Sequence, residues 1–222
     1  MVMLLHEFGY DFIKFGEKAF VDLQNFTLSG KKMKGQRALN NKINKEGFTF
    51  DVLQPPYNAE TFAKLRDISD RWLDGRKEKG FSLGFFSEDY LSTVPIAVVK
   101  NQQQEIVAFA SFMPTYQTGC GSIDLMRHDP EKAPNGTMDF LFINLFDYFK
   151  NQGFEQFDLG IAYLIYNFGS HFYSFEGLRE YKSKYAAYWS PRYILYSRDS
   201  WIGYVMIALL IVDNRTITTS SL

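Results

Sequence analysis

The sequence predicts a mixed α/β fold, because two kinds of apolar segment alternate along it. Short runs rich in β-branched and aromatic residues predict strands, and longer segments with apolar residues three and four positions apart predict helices. With 222 residues, the chain can bury a sizeable core. Hydrophobic residues make up 46% and charged residues 22%, which is ordinary usage for a globular protein and excludes a disordered chain.

The first third of the chain predicts strands around two helices. Residues 12–28 indicate two strands separated by a turn. Residues 31–45 indicate an amphipathic helix with six Lys and Arg residues and no acidic residue before Glu46. A strand at 48–53 and a helix at 59–74 follow.

The remainder predicts three antiparallel strands and then alternating helices and strands. The predicted elements are strands at 96–100, 106–114 and 122–127, a helix at 137–151, a strand at 157–161, a helix at 175–185 and a strand at 193–196. This order, β-β-β-α-β-α-β, is that of an acyltransferase of the GNAT type. The sequence therefore predicts a GNAT-like fold of the α/β (α+β) class.

The domain organisation is inferred from a charged linker at 75–80. We expect one domain at 1–78, a second at 79–213 and a tail at 214–222. The apolar segment 201–212 is shorter than the roughly 20 residues that span a bilayer. It predicts a buried strand or helix, or a segment lying at a membrane interface.

Composition narrows the possible functions. The formal net charge is -1, so no general basic field attracts nucleic acid or membrane, and any such affinity is local. Aromatic residues make up 18% of the chain, more than a core alone requires, which suggests a flat or apolar ligand. The single cysteine, Cys120, excludes an internal disulfide, and no His or carboxylate cluster has metal-ligand spacing.

Coenzyme A is disfavoured as the acyl donor. GNAT enzymes that use it hold the pyrophosphate on bare backbone N–H groups of a glycine-rich turn at a helix start. The corresponding segment, 127–136, has one glycine, and Pro130 and Pro134 carry no N–H. We therefore expect no cofactor and a different activated donor.

Four motifs carry a family resemblance. They are residues 28–40 with 45–48, Ile-Ser-Asp-Arg-Trp-Leu at 68–73, Asp-Leu-Met-Arg at 124–127, and residues 177–185 with 189–193. Together they resemble the cytosolic carboxy-terminal domain of the phosphatidylglycerol lysyltransferases. These are also called multiple peptide resistance factors or aminoacyl-phosphatidylglycerol synthases. The resemblance extends from about residue 12 to about residue 212.

The resemblance implies a tandem pair of GNAT-like folds at the cytosolic face of the cell membrane. Most of the first fold, and an amino-terminal transmembrane region, are then missing in front of Met1, which leaves open whether the chain is active alone. The implied reaction transfers an amino acid, lysine by expectation, from aminoacyl-tRNA to a glycerol hydroxyl of phosphatidylglycerol. The cationic product lowers the negative charge of the membrane and favours resistance to cationic antimicrobial peptides.

The resemblance implies that Asp124 and Arg127 are catalytic. On a regular strand, residues three apart face opposite sides, so we expect a bulge or the strand end to bring both to one cleft. Asp124 is expected to bind the amino group of the donor or orient the attacking hydroxyl. Arg127 is expected to hold a phosphate or the developing oxyanion. The alternative is an ion pair that ties the end of a strand.

Lys182 and Lys184 fall in the motif whose lysine is expected to contact phosphate in the family. On a helix, residues two apart point in different directions, so we expect only one of them to enter the site. Arg192 is a further candidate for substrate binding. For the two lysines, a solvated surface is the alternative.

Two segments predict substrate binding. The basic helix carries the candidate residues Lys31, Lys32, Lys34 and Arg37, which could contact the tRNA backbone, anionic lipid or only solvent. An aromatic segment at 163–175, which includes His171, could line an acyl-chain or terminal-adenosine pocket or belong to the core.

Two other functions stay open. The same chemistry could transfer an amino acid to a peptide or peptidoglycan precursor. Alternatively, the chain could be a non-catalytic module that binds tRNA or an anionic membrane.

Overall fold

The computed structural model describes residues 7–76, 78, 84–115, 117–163 and 175–213. In chain order, the elements are β1 (Tyr10–Asp22), α1 (Lys34–Lys45), β2 (Thr49–Leu53), α2 (Ala59–Leu73), α3 (Glu88–Leu91), β3 (Ile96–Lys100), β4 (Ile106–Phe112), β5 (Cys120–His128), α4 (Thr137–Asn151), β6 (Gln156–Tyr163), α5 (Phe175–Ser183), β7 (Tyr188–Ser197) and α6 (Ile202–Asp213). The mixed α/β prediction is confirmed. Within the described ranges, no helix combines the length and apolarity needed to cross a membrane.

The described residues form two compact units. One contains residues 7–21, 158–163 and 175–213, and the other contains residues 22–76, 78, 84–115 and 117–157. These packing units do not coincide with a division at residue 78. The predicted domains were parts of two GNAT-like folds, whereas these units are defined by packing. The division into two GNAT-like folds stays a prediction.

In the larger unit, β2, β3, β4 and β5 form an antiparallel meander in chain order. Helix α2 packs against β4 and β5, and α4 packs against β3 and β5. Strands β3 and β4 are therefore buried at consecutive positions rather than alternate ones. The strong apolar patterns of β3 and α4 allowed their bounds to be predicted from sequence.

Large side chains fill the layer between α2 and the sheet. Its fully buried members are Leu65, Ile68, Leu91, Ile96, Val98 and Phe109, with Leu125 almost fully buried. Small and β-branched residues, such as Ala97 and Ala108, occupy the alternate positions of the same strands. The α4 layer is aromatic, with Phe146 lying 5.0 Å from Phe26 and 5.2 Å from Phe157, measured between ring centroids. Much of the aromatic excess therefore stabilises this core.

In the smaller unit, β1 pairs antiparallel with β7, and β1 is also hydrogen-bonded to β6. The prediction of two strands at 12–28 is wrong, because β1 is one strand from Tyr10 to Asp22 with a register shift between Lys14 and Gly16. The polar Gly16-Glu17-Lys18 sequence suggested a turn, but the shift absorbs one residue without reversing the chain.

Gly136 precedes α4 with a φ of 92°, a left-handed conformation that favours glycine. A Cβ at this position would overlap the side chain of Leu39 in α1. Helices α1 and α4 therefore pack closely because residue 136 has no side chain.

We expect Gly136→Ala to destabilise the chain by about 1–3 kcal/mol, because it combines a left-handed non-glycine residue with a steric overlap. The free energy of unfolding in urea measures the effect. Gly35→Ala is the matched control, since Gly35 lies in α1 with open space around its Cβ position, and we expect no loss of stability there. Equal stability of the two variants would contradict the packing argument.

Candidate functional site

A β-bulge in β5 positions the two predicted catalytic residues. Phe112 pairs with Ile123, and Ala110 pairs with Met126, so Asp124 and Leu125 together stand opposite the single residue Ser111. The backbone N–H of Leu125 donates to Ser111 Oγ at 3.1 Å, which satisfies a donor inside the bulge. Of the two expected possibilities, a bulge or the strand end, the structure shows the bulge.

The bulge places Asp124 and Arg127 on one side of the sheet. Arg127 pairs with Phe109, whose side chain belongs to the layer under α2. Leu125 belongs to the same layer. The extra residue shifts the alternation of side chains by one position. Asp124 therefore also faces this side of the sheet instead of the α4 side.

Asp124 is exposed but partly desolvated. Burial raises the pKa of its carboxyl group, and the positive charge of Arg127 opposes this. The phenol of Tyr90 has its own pKa raised, first by burial and then by Asp124. A Cβ at Gly84 would lie 2.6 Å from Asp124 Oδ1, so the absence of a side chain at residue 84 leaves room for the carboxylate.

Arg127 is 9% exposed, and its guanidinium contacts groups from β5, α2 and the segment after α2. Nη2 donates to Glu78 Oε1 at 3.2 Å, and Nη1 donates to the carbonyl oxygen of Met126 at 3.2 Å. The guanidinium carbon lies 4.0 Å from the ring centroid of Trp72 in α2. The ion pair with Glu78 ties the strand to the segment after α2.

The loop after β5 is organised by Asp129, which is fully buried. Asp129 Oδ1 accepts hydrogen bonds from the backbone N–H groups of Glu131 at 2.9 Å and Lys132 at 3.0 Å. Burial acts to raise the pKa of Asp129, but these N–H groups, together with Arg71, outweigh it and lower the pKa. The protein's own carboxylate therefore occupies backbone donors at this turn.

Lys182 lies in the smaller unit, at the end of α5, and is 9% exposed. Its Nζ donates to the carbonyl oxygen of Ile161 at 2.9 Å. Burial lowers the pKa of Lys182 to about 8, and the nearby Asp158 acts in the opposite direction. Asp158 is itself buried, forms an ion pair with Lys18 and accepts from the N–H of Gly160 at 2.8 Å.

The other cationic candidates of this unit differ from Lys182. Lys184 is exposed, with Nζ 4.5 Å from the ring centroid of Tyr181. Only one lysine of the pair is buried, in agreement with their spacing. Arg192 is half-buried, and its Nη1 donates to Ser190 Oγ at 2.9 Å and to the carbonyl oxygen of Pro191 at 3.3 Å. The binding roles of Lys184 and Arg192 stay predictions.

The basic helix presents exposed lysines near its amino terminus. Lys31 and Lys32 precede α1, Lys34 begins it, and all three are exposed. Arg37 instead donates from Nη1 to the carbonyl oxygen of Leu28 at 2.5 Å. Arg37 therefore has a local structural contact, and a role for the four residues in substrate binding stays a prediction.

Three further expectations concern the aromatic segment, the single cysteine and metal binding. His171 and most of the aromatic segment 163–175 lie outside the described residues, so the pocket predicted there stays untested. Cys120 is buried at the start of β5. Among the described residues, no group of three or more His, Cys, Asp and Glu side chains is arranged to hold a metal ion.

Apolar side chains of α6 face solvent. Tyr204, Ile207 and Ile211 are exposed, at the spacing of one helix face, and Trp201 just before the helix is 64% exposed. The expectation of a buried strand is wrong for this segment. A helix with an exposed apolar face fits the interfacial alternative.

Sequence reasoning missed three residues around Asp124 and Arg127. They are Trp72, in the predicted helix at 59–74, Glu78, in the predicted charged linker, and Gly84, for which the sequence offers no signal. Trp72 lies four residues after the buried Ile68 and so on the same helix face, but only the neighbouring β5 shows that it contacts a cation. The quoted Ile-Ser-Asp-Arg-Trp-Leu motif was the available signal.

Similarity to a solved structure identifies the class of fold to which this chain belongs. The GCN5-related glucosamine N-acetyltransferase region of a fungal multi-domain β-N-acetylglucosaminidase is similar to this chain with a TM-score of 0.50 and 12% identity, over 87% of this chain and 22% of that chain. At this identity the likeness shows the fold alone. The chain thus has a GNAT-like fold, as predicted.

The particular family follows from closer matches. The family model described as phosphatidylglycerol lysyltransferase, C-terminal, matches residues 1–196. The phosphatidylglycerol lysyltransferase of Bacillus subtilis is 45% identical over 91% of this chain. L-PGS from Bacillus licheniformis is similar with a TM-score of 0.87 and 48% identity, over 96% of this chain and 69% of that one. The chain belongs to the phosphatidylglycerol lysyltransferase C-terminal family. It spans about a quarter, 26%, of the length of the Bacillus subtilis protein.

Lys182 predicts a pH dependence of stability. Its pKa is about 8 in the folded chain and 10.5 ordinarily, so the unfolded chain binds more protons between these values. The free energy of unfolding therefore rises with pH in this window, and this contribution is lost as pH falls.

Lys182→Met is expected to remove this part of the pH dependence. Urea unfolding at several pH values from about 7 to 10 measures it as the difference between the unmodified chain and the variant. Lys184→Met, at the exposed neighbour, is the control and should follow the unmodified chain. Identical slopes for Lys182→Met and the unmodified chain would show that the buried amine keeps its ordinary pKa.

Proposed function

We propose that the chain is the aminoacyl-transferring part of a phosphatidylglycerol lysyltransferase. It transfers an amino acid, lysine in the first instance, from aminoacyl-tRNA to the glycerol hydroxyl of phosphatidylglycerol. Family membership supports the lipid acceptor. The observation that carries the chemistry is the bulge that turns Asp124 and Arg127 to the same side of the sheet.

The reaction exchanges one ester for another. The lipid hydroxyl oxygen bonds to the carbonyl carbon of the aminoacyl ester, and the bond from that carbon to the tRNA ribose oxygen breaks. The proton of the lipid hydroxyl ends on the ribose oxygen. No protein nucleophile is needed, because the donor is already activated, so positioning and charge stabilisation suffice.

Asp124 and Arg127 have complementary roles in this proposal. The Asp124 carboxylate binds the donor's ammonium group or orients the attacking hydroxyl. The Arg127 guanidinium stabilises the oxyanion or holds a phosphate, as a planar cation does well. The buried Lys182, and Lys184, are proposed to contact phosphate, with Lys182 the better placed because it is desolvated.

Aminoacyl-tRNA is the proposed donor rather than coenzyme A. The turn after β5 has its Glu131 and Lys132 N–H groups bonded to Asp129, so these donors are engaged by an internal anion. Exposed Lys31, Lys32 and Lys34 offer cations to a polynucleotide backbone instead. Both observations support a donor held by side chains.

The membrane setting is also proposed from the family. The chain would work at the cytosolic face of the cell membrane, joined to an amino-terminal transmembrane region. The exposed apolar face of α6, with Trp201 and Tyr204 at its start, supports contact with a lipid interface, where such aromatic rings are enriched. Adding lysine gives phosphatidylglycerol a net positive charge, which would favour resistance to cationic peptides.

Transfer of radiolabelled lysine from charged tRNA into chloroform-extractable lipid tests the proposal. With phosphatidylglycerol vesicles, we expect label in lipid from the chain or from a version extended at its amino terminus. Asp124→Asn should lower transfer by roughly a hundredfold or more, because it removes a charge that contacts the reacting groups.

Asp89→Asn is the matched control, since Asp89 is an exposed acid on α3. It should leave transfer unchanged. If neither the chain nor the extended version labels lipid with several charged tRNAs, the lipid proposal fails. Label in a peptide acceptor would then support transfer to a peptidoglycan precursor.

Binding of tRNA tests the basic helix separately. Lys32→Glu with Lys34→Glu should weaken binding and flatten its dependence on salt, by about 0.7 to 0.9 in log–log slope for each phosphate that the helix no longer neutralises. Fluorescence anisotropy of labelled tRNA at several salt concentrations measures this slope. Lys64→Glu with Lys132→Glu changes the net charge equally and should leave the slope nearly unchanged.

The same measurement distinguishes the non-catalytic alternative. A module that only binds tRNA or anionic membrane would bind more weakly with the helix variant but would be indifferent to Asp124→Asn in every assay. An unchanged salt slope in the helix variant would show that the lysines face solvent only.

A further inference from the structure

The position of Arg127 depends on residues from three separate segments. Its backbone is fixed by the pairing of β5 with β4. The guanidinium then meets the indole of Trp72 from α2 and the carboxylate of Glu78 from the segment after α2. Neither residue has an assigned role in the proposed reaction.

Trp72 is held rigidly enough to orient a cation. It lies in the last turn of α2, on the helix face that carries the fully buried Leu65 and Ile68. That face packs against β4 and β5. The ring is therefore fixed relative to the strand that carries Arg127, and a guanidinium stacked on a Trp face is held in a defined plane.

Glu78 is anchored by the segment that precedes α3. Its two carboxylate oxygens accept from the backbone N–H of Phe86 at 3.2 and 3.1 Å. Phe86 is buried and packs edge-on against Phe109, with 6.4 Å between ring centroids. The carboxylate that pairs with Arg127 is thereby tied to the core under α2.

We propose that Trp72 is a positioning residue that fixes the plane of the Arg127 guanidinium, with Glu78 as its second support. The Trp72 ring sets the plane of the guanidinium, and the Glu78 carboxylate sets the rotation of the guanidinium within that plane. Arg127 thus enters the reaction already oriented and loses little conformational freedom when an anionic group of the substrate arrives. The inference rests on the proposed function only for what Arg127 does once it is oriented.

Asp124 supplies a readout that needs no substrate. Burial raises the pKa of Asp124, and the positive charge of Arg127 acts in the opposite direction. Among the described residues, Tyr90 of α3 and Glu78 are further titratable groups near these two. Displacing the guanidinium weakens the lowering effect, so the midpoint of the Asp124 titration should move to higher pH.

The experiment is a carbon-13 NMR titration of the whole chain labelled at aspartate carboxyl groups. The Asp124 signal is assigned with Asp124→Asn. In Trp72→Leu we expect the Asp124 midpoint at higher pH than in the unmodified chain. Trp72→Phe should give an intermediate midpoint, because a smaller ring still binds the guanidinium but more weakly than indole.

Trp189→Leu is the matched control. Trp189 lies in the smaller unit and carries a comparable contact, with the Arg179 guanidinium carbon 4.8 Å from its ring centroid. This variant should leave the Asp124 titration unchanged. A residue that served only for packing would change the stability of the chain when replaced, but not this midpoint.

A second signal covers the case in which Trp72→Leu does not fold. Nitrogen-15 signals of the two Arg127 Nη groups stay distinct while the guanidinium is held, and merge when it rotates freely. Glu78→Ala and Trp72→Phe should both move these signals toward merging. An Asp124 midpoint and Arg127 signals that are unchanged in every folded variant would overturn the inference, as would an equal shift in Trp189→Leu.

These outcomes are independent of transferase activity. If no lipid is labelled in the transfer assay but Trp72→Leu moves the Asp124 midpoint, the proposed function fails and the positioning role stands. If lipid is labelled but the midpoint and the Arg127 signals do not move, the positioning role fails alone.

Discussion

One additional residue in β5 determines the geometry of the candidate site. Without it, Asp124 and Arg127 would face opposite sides of the sheet, because side chains alternate along a strand. The bulge interrupts the ladder and needs a partner for the N–H of Leu125, which Ser111 Oγ provides from β4. An unpaired buried donor costs about 1–3 kcal/mol, so Ser111 stabilises the irregular strand that the proposed chemistry requires.

The same constraint explains why the neighbours of β5 are so specific. Once both charged residues face α2, the layer beneath that helix must accept a guanidinium and a carboxylate beside Phe109 and Leu125. Three residues meet this requirement: the aromatic face of Trp72, the carboxylate of Glu78, and Gly84, which has no side chain. A charge at the edge of a dry core is tolerated only with such partners.

The elements with strong local patterns were predictable from the sequence, and the contacts between elements were not. The bounds of α4 follow from its apolar run between Gly136 and Gly153, and β3 follows from its run of Ile and Val. The face shared by Asp124 and Arg127 was predicted only as a choice between a bulge and a strand end, because the deciding partner, Ser111, lies on another strand. The role of Trp72 was missed for the same reason, since its periodicity is equally that of a core residue.

The turn after β5 has few backbone N–H groups that are available to an anion. Pro130 and Pro134 remove N–H groups, and the fully buried carboxylate of Asp129 engages those of Glu131 and Lys132. A pyrophosphate would have to displace this internal anion and leave it unpaired in the core, which is strongly unfavourable. In the proposed reaction, a GNAT-like fold whose backbone donors are engaged in this way would hold its anionic donor through side-chain cations. Lysines on an exposed helix suit a polynucleotide, because they can follow a long phosphate backbone rather than enclose one phosphate group. An aminoacyl ester carried by tRNA would therefore be activated without a nucleotide pocket, and the sheet would retain only the part of the fold that orients the reacting groups.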